Sequence, residues 1–106
     1  MRKIKKNINT KGIYIKNVKY DTTIEDFDIF LTRYLNNYNN IYFLKNNLNN
    51  FIGRIVITFD NIEKAKNAIF KLHNIKFKNK KFKVNYAYPK YLIEDYDIVE
   101  KFNLIL

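Results

Sequence analysis

The chain predicts an α+β domain in which one antiparallel sheet of four strands carries two helices on a single face. Two segments, Ile13-Tyr14-Ile15-Lys16-Asn17-Val18 and Gly53-Arg54-Ile55-Val56-Ile57-Thr58-Phe59, alternate with period two. Each therefore reads as a strand with one face buried and one displayed. Two further segments repeat apolar residues at spacings of three and four, the pattern of an amphipathic helix. The elements follow the order strand, helix, strand, strand, helix, strand.

The first strand is Ile13–Val18, with Tyr14 and Lys16 on its displayed face. In Asp21-Thr22-Thr23-Ile24-Glu25, Thr22 with Glu25 three residues on is a capping box that opens a helix. Ile24, Phe27, Leu31, Tyr34, Leu35 and Tyr38 mark its apolar face, and the Asn-rich stretch from Asn36 to Asn40 ends it. Ile41-Tyr42-Phe43-Leu44 is short, apolar and aromatic, hence a second strand, and Lys45–Phe51 is a polar loop. The third strand displays Arg54, Val56 and Thr58. Asp60 with Glu63 opens a second helix whose apolar face is Ile62, Ala65, Ala68, Ile69 and Leu72. Ile75–Lys81 is a Lys-rich solvated turn. Phe82–Ala87 alternates as a fourth strand, with Lys83 and Asn85 on one face and Phe82, Val84 and Tyr86 on the other. Pro89 breaks that strand and opens a terminal amphipathic helix over Tyr91–Phe102. The expected fold is a ferredoxin-like βαββαβ sandwich spanning residues 12–88, preceded by a basic arm (1–11) and followed by a C-terminal helix and tail (89–106).

A chain of 106 residues fits one domain. No apolar run reaches the roughly 18 residues of a membrane span, and no leader resembles a secretory signal. Without cysteine there is neither a disulfide nor a thiolate metal site, which suits a reducing compartment. The single histidine, His73, leaves little for zinc or acid–base chemistry and reads as a surface or capping residue. Asp26 and Asp28 stand two apart on a helix and point to different faces, so they form no carboxylate pair. Gly12 and Gly53 are the only glycines, which excludes a phosphate-cradling loop. Neither catalytic residues nor a metal or cofactor is expected.

The net charge of +10 points to a polyanionic partner. The dominant residues, Asn, Lys, Ile, Tyr and Phe, have AT-rich codons, so the distribution of charge says more than its total. Arg2, Lys3, Lys5, Lys6 and Lys11 form an arm with no acid, whereas residues 91–106 set Lys101 against Glu94, Asp95, Asp97 and Glu100. A basic body with an acidic end is not a codon effect.

These residues resemble RNA recognition motifs. Ile13–Val18 is similar to the family's hexamer motif, with the aromatic at its second place in Tyr14. Ile52–Phe59 resembles the octamer motif, retaining Gly53 and the closing Ile57-Thr58-Phe59. It departs from that motif at Arg54 and Val56, where the family carries aromatics, and at Ile55, where it carries a small residue. Tyr14-Ile15-Lys16-Asn17, the first helix through Tyr38 and Val84-Asn85-Tyr86-Ala87 are similar to the stem-loop-binding A and B-double-prime proteins of spliceosomal particles.

The resemblance implies a non-catalytic protein that holds single-stranded or stem-loop RNA on its sheet. Tyr14 stacks a base, Lys16, Arg54 and Lys83 meet phosphates, and Asn17 and Asn85 meet base edges; Val56 and Thr58 complete the displayed face. It further implies a spliceosomal or other ribonucleoprotein particle, with a role in mRNA splicing. The nucleus is the expected location, and the cytoplasm or an organelle the alternative. The apolar content of Tyr91–Leu106 opens another reading, in which the terminal helix covers the sheet or docks on another ribonucleoprotein subunit. The domain is then a protein-interaction module. An organellar ribosomal protein of similar fold also fits the basic arm.

Overall fold

The computed structural model describes residues 9–87. Most of the basic arm and the whole expected C-terminal helix lie outside the described residues. The elements are β1 (Gly12–Lys16), α1 (Ile24–Leu31), β2 (Asn40–Lys45), β3 (Phe51–Thr58), α2 (Ile62–Leu72), a short hairpin of β4 (Lys76–Phe77) and β5 (Lys80–Lys81), and β6 (Lys83–Tyr86). The main sheet has the order β2-β3-β1-β6 and is antiparallel throughout, so the two motif strands β1 and β3 lie side by side at its centre.

Period-two alternation divides the sheet as the sequence predicts. Ile13 and Ile15 from β1, Ile55 and Ile57 from β3 and Val84 from β6 face one way, into a core shared with Phe27 and Leu31 of α1 and Ala65, Ala68 and Leu72 of α2. Both helices therefore cover the same face. Phe27 and Phe82 are fully buried there, and Phe30 and Phe77 join them in a ring cluster with centroids 4.5–6.2 Å apart. Burial of each such ring is worth about 2–3 kcal/mol.

The structure moves several boundaries. The N-cap of α1 is Thr23, whose extended backbone lets its hydroxyl accept the Asp26 N–H at 3.0 Å. Thr22, the expected cap, is buried instead. The helix ends at Leu31, not near Tyr38. There the Thr32 hydroxyl donates back to the Ile29 carbonyl at 2.8 Å, a contact that competes with the helical ladder. The next bonds, Arg33 N–H to Phe30 and Tyr34 N–H to Leu31, have the tighter three-residue span. Tyr34, Leu35 and Tyr38 still pack on the core, which is why their spacing imitated a longer helix. Asn61, not Asp60, caps α2 by accepting the Lys64 N–H at 2.9 Å, while Asp60 pairs with the Lys64 ammonium.

The Lys-rich turn is itself a hairpin. Lys78 and Asn79 both have positive φ, as a tight two-residue connection requires. The Asn-rich loop between β2 and β3 is a compact turn in which the Asn46 carboxamide oxygen accepts the N–H groups of Leu48 and Asn50. His73 caps α2 at its C-terminus, and its Nδ1 accepts the Val84 N–H at 3.0 Å, tying the helix end to β6.

Candidate nucleic-acid interface

The face of the sheet turned away from the helices is built by the other half of the alternation. The register places Tyr14 opposite Val56 on one side and Asn85 on the other, and Tyr42 opposite Val56. A transverse row Tyr42–Val56–Tyr14–Asn85 thus crosses all four strands. Toward the C-terminal end of β1, Lys16 stands directly opposite Lys83. Arg54, half-buried, reaches back so that its guanidinium donates to the Tyr14 hydroxyl at 3.3 Å.

The sequence-derived site residues fare differently. Tyr14, Lys16, Arg54, Thr58, Lys83 and Asn85 are brought to this one face, with Lys16, Lys83 and Asn85 exposed and Tyr14, Arg54 and Thr58 half-buried. Val56 is on the same face yet fully buried. It belongs to a second apolar cluster with Leu44 and Ala87, against which Tyr14, Tyr42 and Ile52 pack. Val56 therefore supports the platform and offers no contact surface of its own. Asn17 leaves the strand at φ +67°, and its side-chain nitrogen donates to the Lys81 carbonyl at 2.8 Å. Its carboxamide is tied to the hairpin end and does not project from the middle of the sheet. The Thr58 hydroxyl is buried with no hydrogen-bond partner among the described residues.

Beside Lys16 and Arg54 lies an open depression of about 410 Å³, lined by Lys16, Asn17, Tyr20, Arg54, Lys80 and Lys83 together with Val18, Ile52 and Gly53. It holds four cations and no acid. Tyr20, Lys80 and Tyr42 were missed in the sequence. Tyr42 was recoverable, since alternation in Ile41–Leu44 puts it on the face opposite Ile41 and Phe43. Tyr20 and Lys80 sit in a loop and a hairpin, where no periodicity reports a face.

Electrostatics separate this end of the sheet from the hairpin behind it. Lys78 is spent internally: its ammonium lies 3.0 Å from Asp26 and 3.6 Å from Asp21. Its hydrogen bond to Asp26 raises the Lys78 pKa and lowers that of Asp26. Among the described residues no ion pair engages Lys16, Lys80 or Lys83. No cluster of three or more metal-ligating side chains occurs among the described residues, and none of their helices is long and apolar enough to cross a membrane.

The RNA recognition motif family model matches residues 13–83, and the chain belongs to that family. Solved structures agree in fold. The third RNA recognition motif of Gbp2 gives a TM-score of 0.67 at 21% identity, covering 77% of this chain and 80% of its own. The Rna15 RNA recognition motif with bound RNA (GU) gives 0.65 at 15% identity, covering 87% of this chain and 95% of its own. The tandem domains of Sex-lethal from Drosophila melanogaster give 0.61 at 23% identity, covering 77% of this chain and 52% of theirs. No curated protein sequence matches the chain.

Proposed function

We propose that this chain is a non-catalytic RNA-binding protein that takes single-stranded or loop RNA on the helix-free face of its sheet. One observation carries the reading. Lys16 and Lys83 face each other across adjacent strands, with Arg54 from the neighbouring strand beside them and no acid lining the same depression. Like charges directly opposite on a sheet are destabilising. Their cost is offset when a polyanion spans them. Tyr14, held by Arg54, supplies the stacking surface next to these cations, and Asn85 supplies a hydrogen-bonding edge. Two solved structures of similar fold, Rna15 with bound RNA (GU) and a Sex-lethal protein/RNA complex, favour the same partner. A place in a ribonucleoprotein particle, spliceosomal and hence nuclear, is part of this proposal.

Fluorescence anisotropy with short single-stranded and hairpin RNAs tests it. Binding persists near physiological salt, and Tyr14→Ala weakens it about tenfold, within the range for loss of one stacked base. Binding that disappears with salt and is indifferent to Tyr14 would overturn the reading.

A second reading has its own observation. Leu44, Val56 and Ala87 are fully buried on the face where an open platform exposes its centre. This supports a protein-interaction module whose sheet is closed. RNA-independent retention of a protein subunit that survives Tyr14→Ala distinguishes it.

A further inference from the structure

We infer that the depression at the C-terminal end of β1 is a second nucleotide subsite, with Tyr20 as its stacking wall and Lys80 as a phosphate ligand. The inference rests on the RNA reading above and extends it beyond the strand residues.

The geometry begins at Gly53. It lies in β3 at φ +79°, and a β-carbon there would meet Tyr20 Cε1 at 2.7 Å and Cδ1 at 3.0 Å. The Tyr20 ring thus occupies the space that a side chain at position 53 would fill, and lines the depression. Yet Tyr20 remains 69% exposed. A ring that touches the backbone along part of its surface and is otherwise open to solvent leaves a face on which a base can stack.

Lys80 lines the same depression from the β4–β5 hairpin. Its hairpin is fixed to the strand end by the Asn17 carboxamide on the Lys81 carbonyl, 2.8 Å. The loop carrying Tyr20 is fixed to that hairpin by Lys78 on Asp21, 3.6 Å. The nearest loop acid, Asp21, is thereby paired away from the depression. Two contacts therefore join the segments that carry Tyr20 and Lys80, and both residues line the same depression as Lys16, Lys83 and Arg54. A nucleotide fits this set: its base on Tyr20, its phosphodiester among the lysines. Tyr20 stands in for the aromatics that the third strand lacks at Arg54 and Val56.

The test uses the full chain and a fluorescein-labelled pool of random-sequence single-stranded RNAs of about ten nucleotides, titrated by anisotropy across a salt series. Tyr20→Ala should weaken binding about fivefold or more with its salt dependence unchanged, and Tyr20→Phe should stay within about twofold of wild type. Lys80→Gln should flatten the slope of log affinity against log salt by about 0.7, the value for one phosphate contact on a single strand. That change of slope is not produced by a purely structural role. If circular dichroism shows Tyr20→Ala to be unfolded, the Lys80→Gln slope decides alone. Wild-type binding that depends on Tyr14 but ignores Tyr20 and Lys80 overturns the subsite and leaves the RNA reading standing. No wild-type binding at any salt overturns both.

Discussion

Substitution of Gly53 by alanine is the sharpest test of how this sheet is assembled. Gly53 occupies a left-handed conformation at φ +79° inside β3, and its carbonyl accepts the Val18 N–H at 3.0 Å. A β-carbon built on it lies 2.7 Å from the Val18 carbonyl oxygen as well as from the Tyr20 ring. The tyrosine can swing away because it is largely exposed. The Val18 oxygen is backbone, pinned by the adjoining pairing of β1 and β3, and has no such freedom. The left-handed conformation costs an L side chain about 1–2 kcal/mol. Forcing an extra carbon into filled space adds about 1–3 kcal/mol. Gly53→Ala should therefore lose about 2–5 kcal/mol, a shift in Tm of at least about 8 °C for a domain of this size. Urea denaturation followed by circular dichroism measures it, with unchanged m-value as the sign that stability alone has moved. A loss below about 1 kcal/mol would mean that β3 relaxes freely around this point, and the reasoning would be refuted.

Four other outcomes are expected. Thr23→Ala and Asn61→Ala should each lose about 1 kcal/mol in chemical denaturation as the helix caps are removed. Thr22→Val should be neutral or mildly stabilising, because the buried Thr22 hydroxyl has no partner among the described residues. Equal losses at Thr22 and Thr23 would contradict the cap assignment. His73→Ala should cost about 1–2 kcal/mol and speed hydrogen exchange at the Val84 amide, whose acceptor is the imidazole Nδ1; unchanged exchange would show the bond to be absent. The hydrogen bond from Lys78 holds the Asp26 carboxyl below the ordinary aspartate range. A depressed carboxylate contributes its stabilisation above the unfolded-state value and loses it as pH falls through the folded one. NMR titration of the Asp26 carboxyl should therefore show a low midpoint that rises in Lys78→Gln, and an immobile midpoint would rule the pair out.

Most of the scaffold was legible in the residues because it rests on short-range repetition. A period of two in Ile13–Val18, Gly53–Phe59 and Phe82–Ala87 assigns inner and outer faces without knowledge of the partner strand. The apolar spacing from Ile62 to Leu72 does the same for α2. Legibility failed where a local pattern had two possible causes. Tyr34, Leu35 and Tyr38 keep helical spacing yet reach the core from a turn and loop, because a three-residue bond span after Thr32 redirects the chain toward the same side. Adjacent threonines before α1 both precede an acid by three residues, and only backbone geometry chooses Thr23.

By itself, the sequence determined the α+β class, the pairing of an aromatic hexamer with a glycine-bearing octamer, and the basic character of the strands they form. Each of these follows from the side chains within a few positions of one another. Tertiary structure decided what the displayed face offers. It buried Val56 beneath Tyr14 and Tyr42, drew Asn17 onto Lys81, turned Arg54 toward Tyr14, and set Lys80 and Tyr20 beside Lys16 and Lys83. Lys80 and Lys16 are far apart in the chain, and only the closing of β6 against β1 makes them neighbours. Alternation fixes which face a side chain points to, while the register between distant strands fixes what stands next to it.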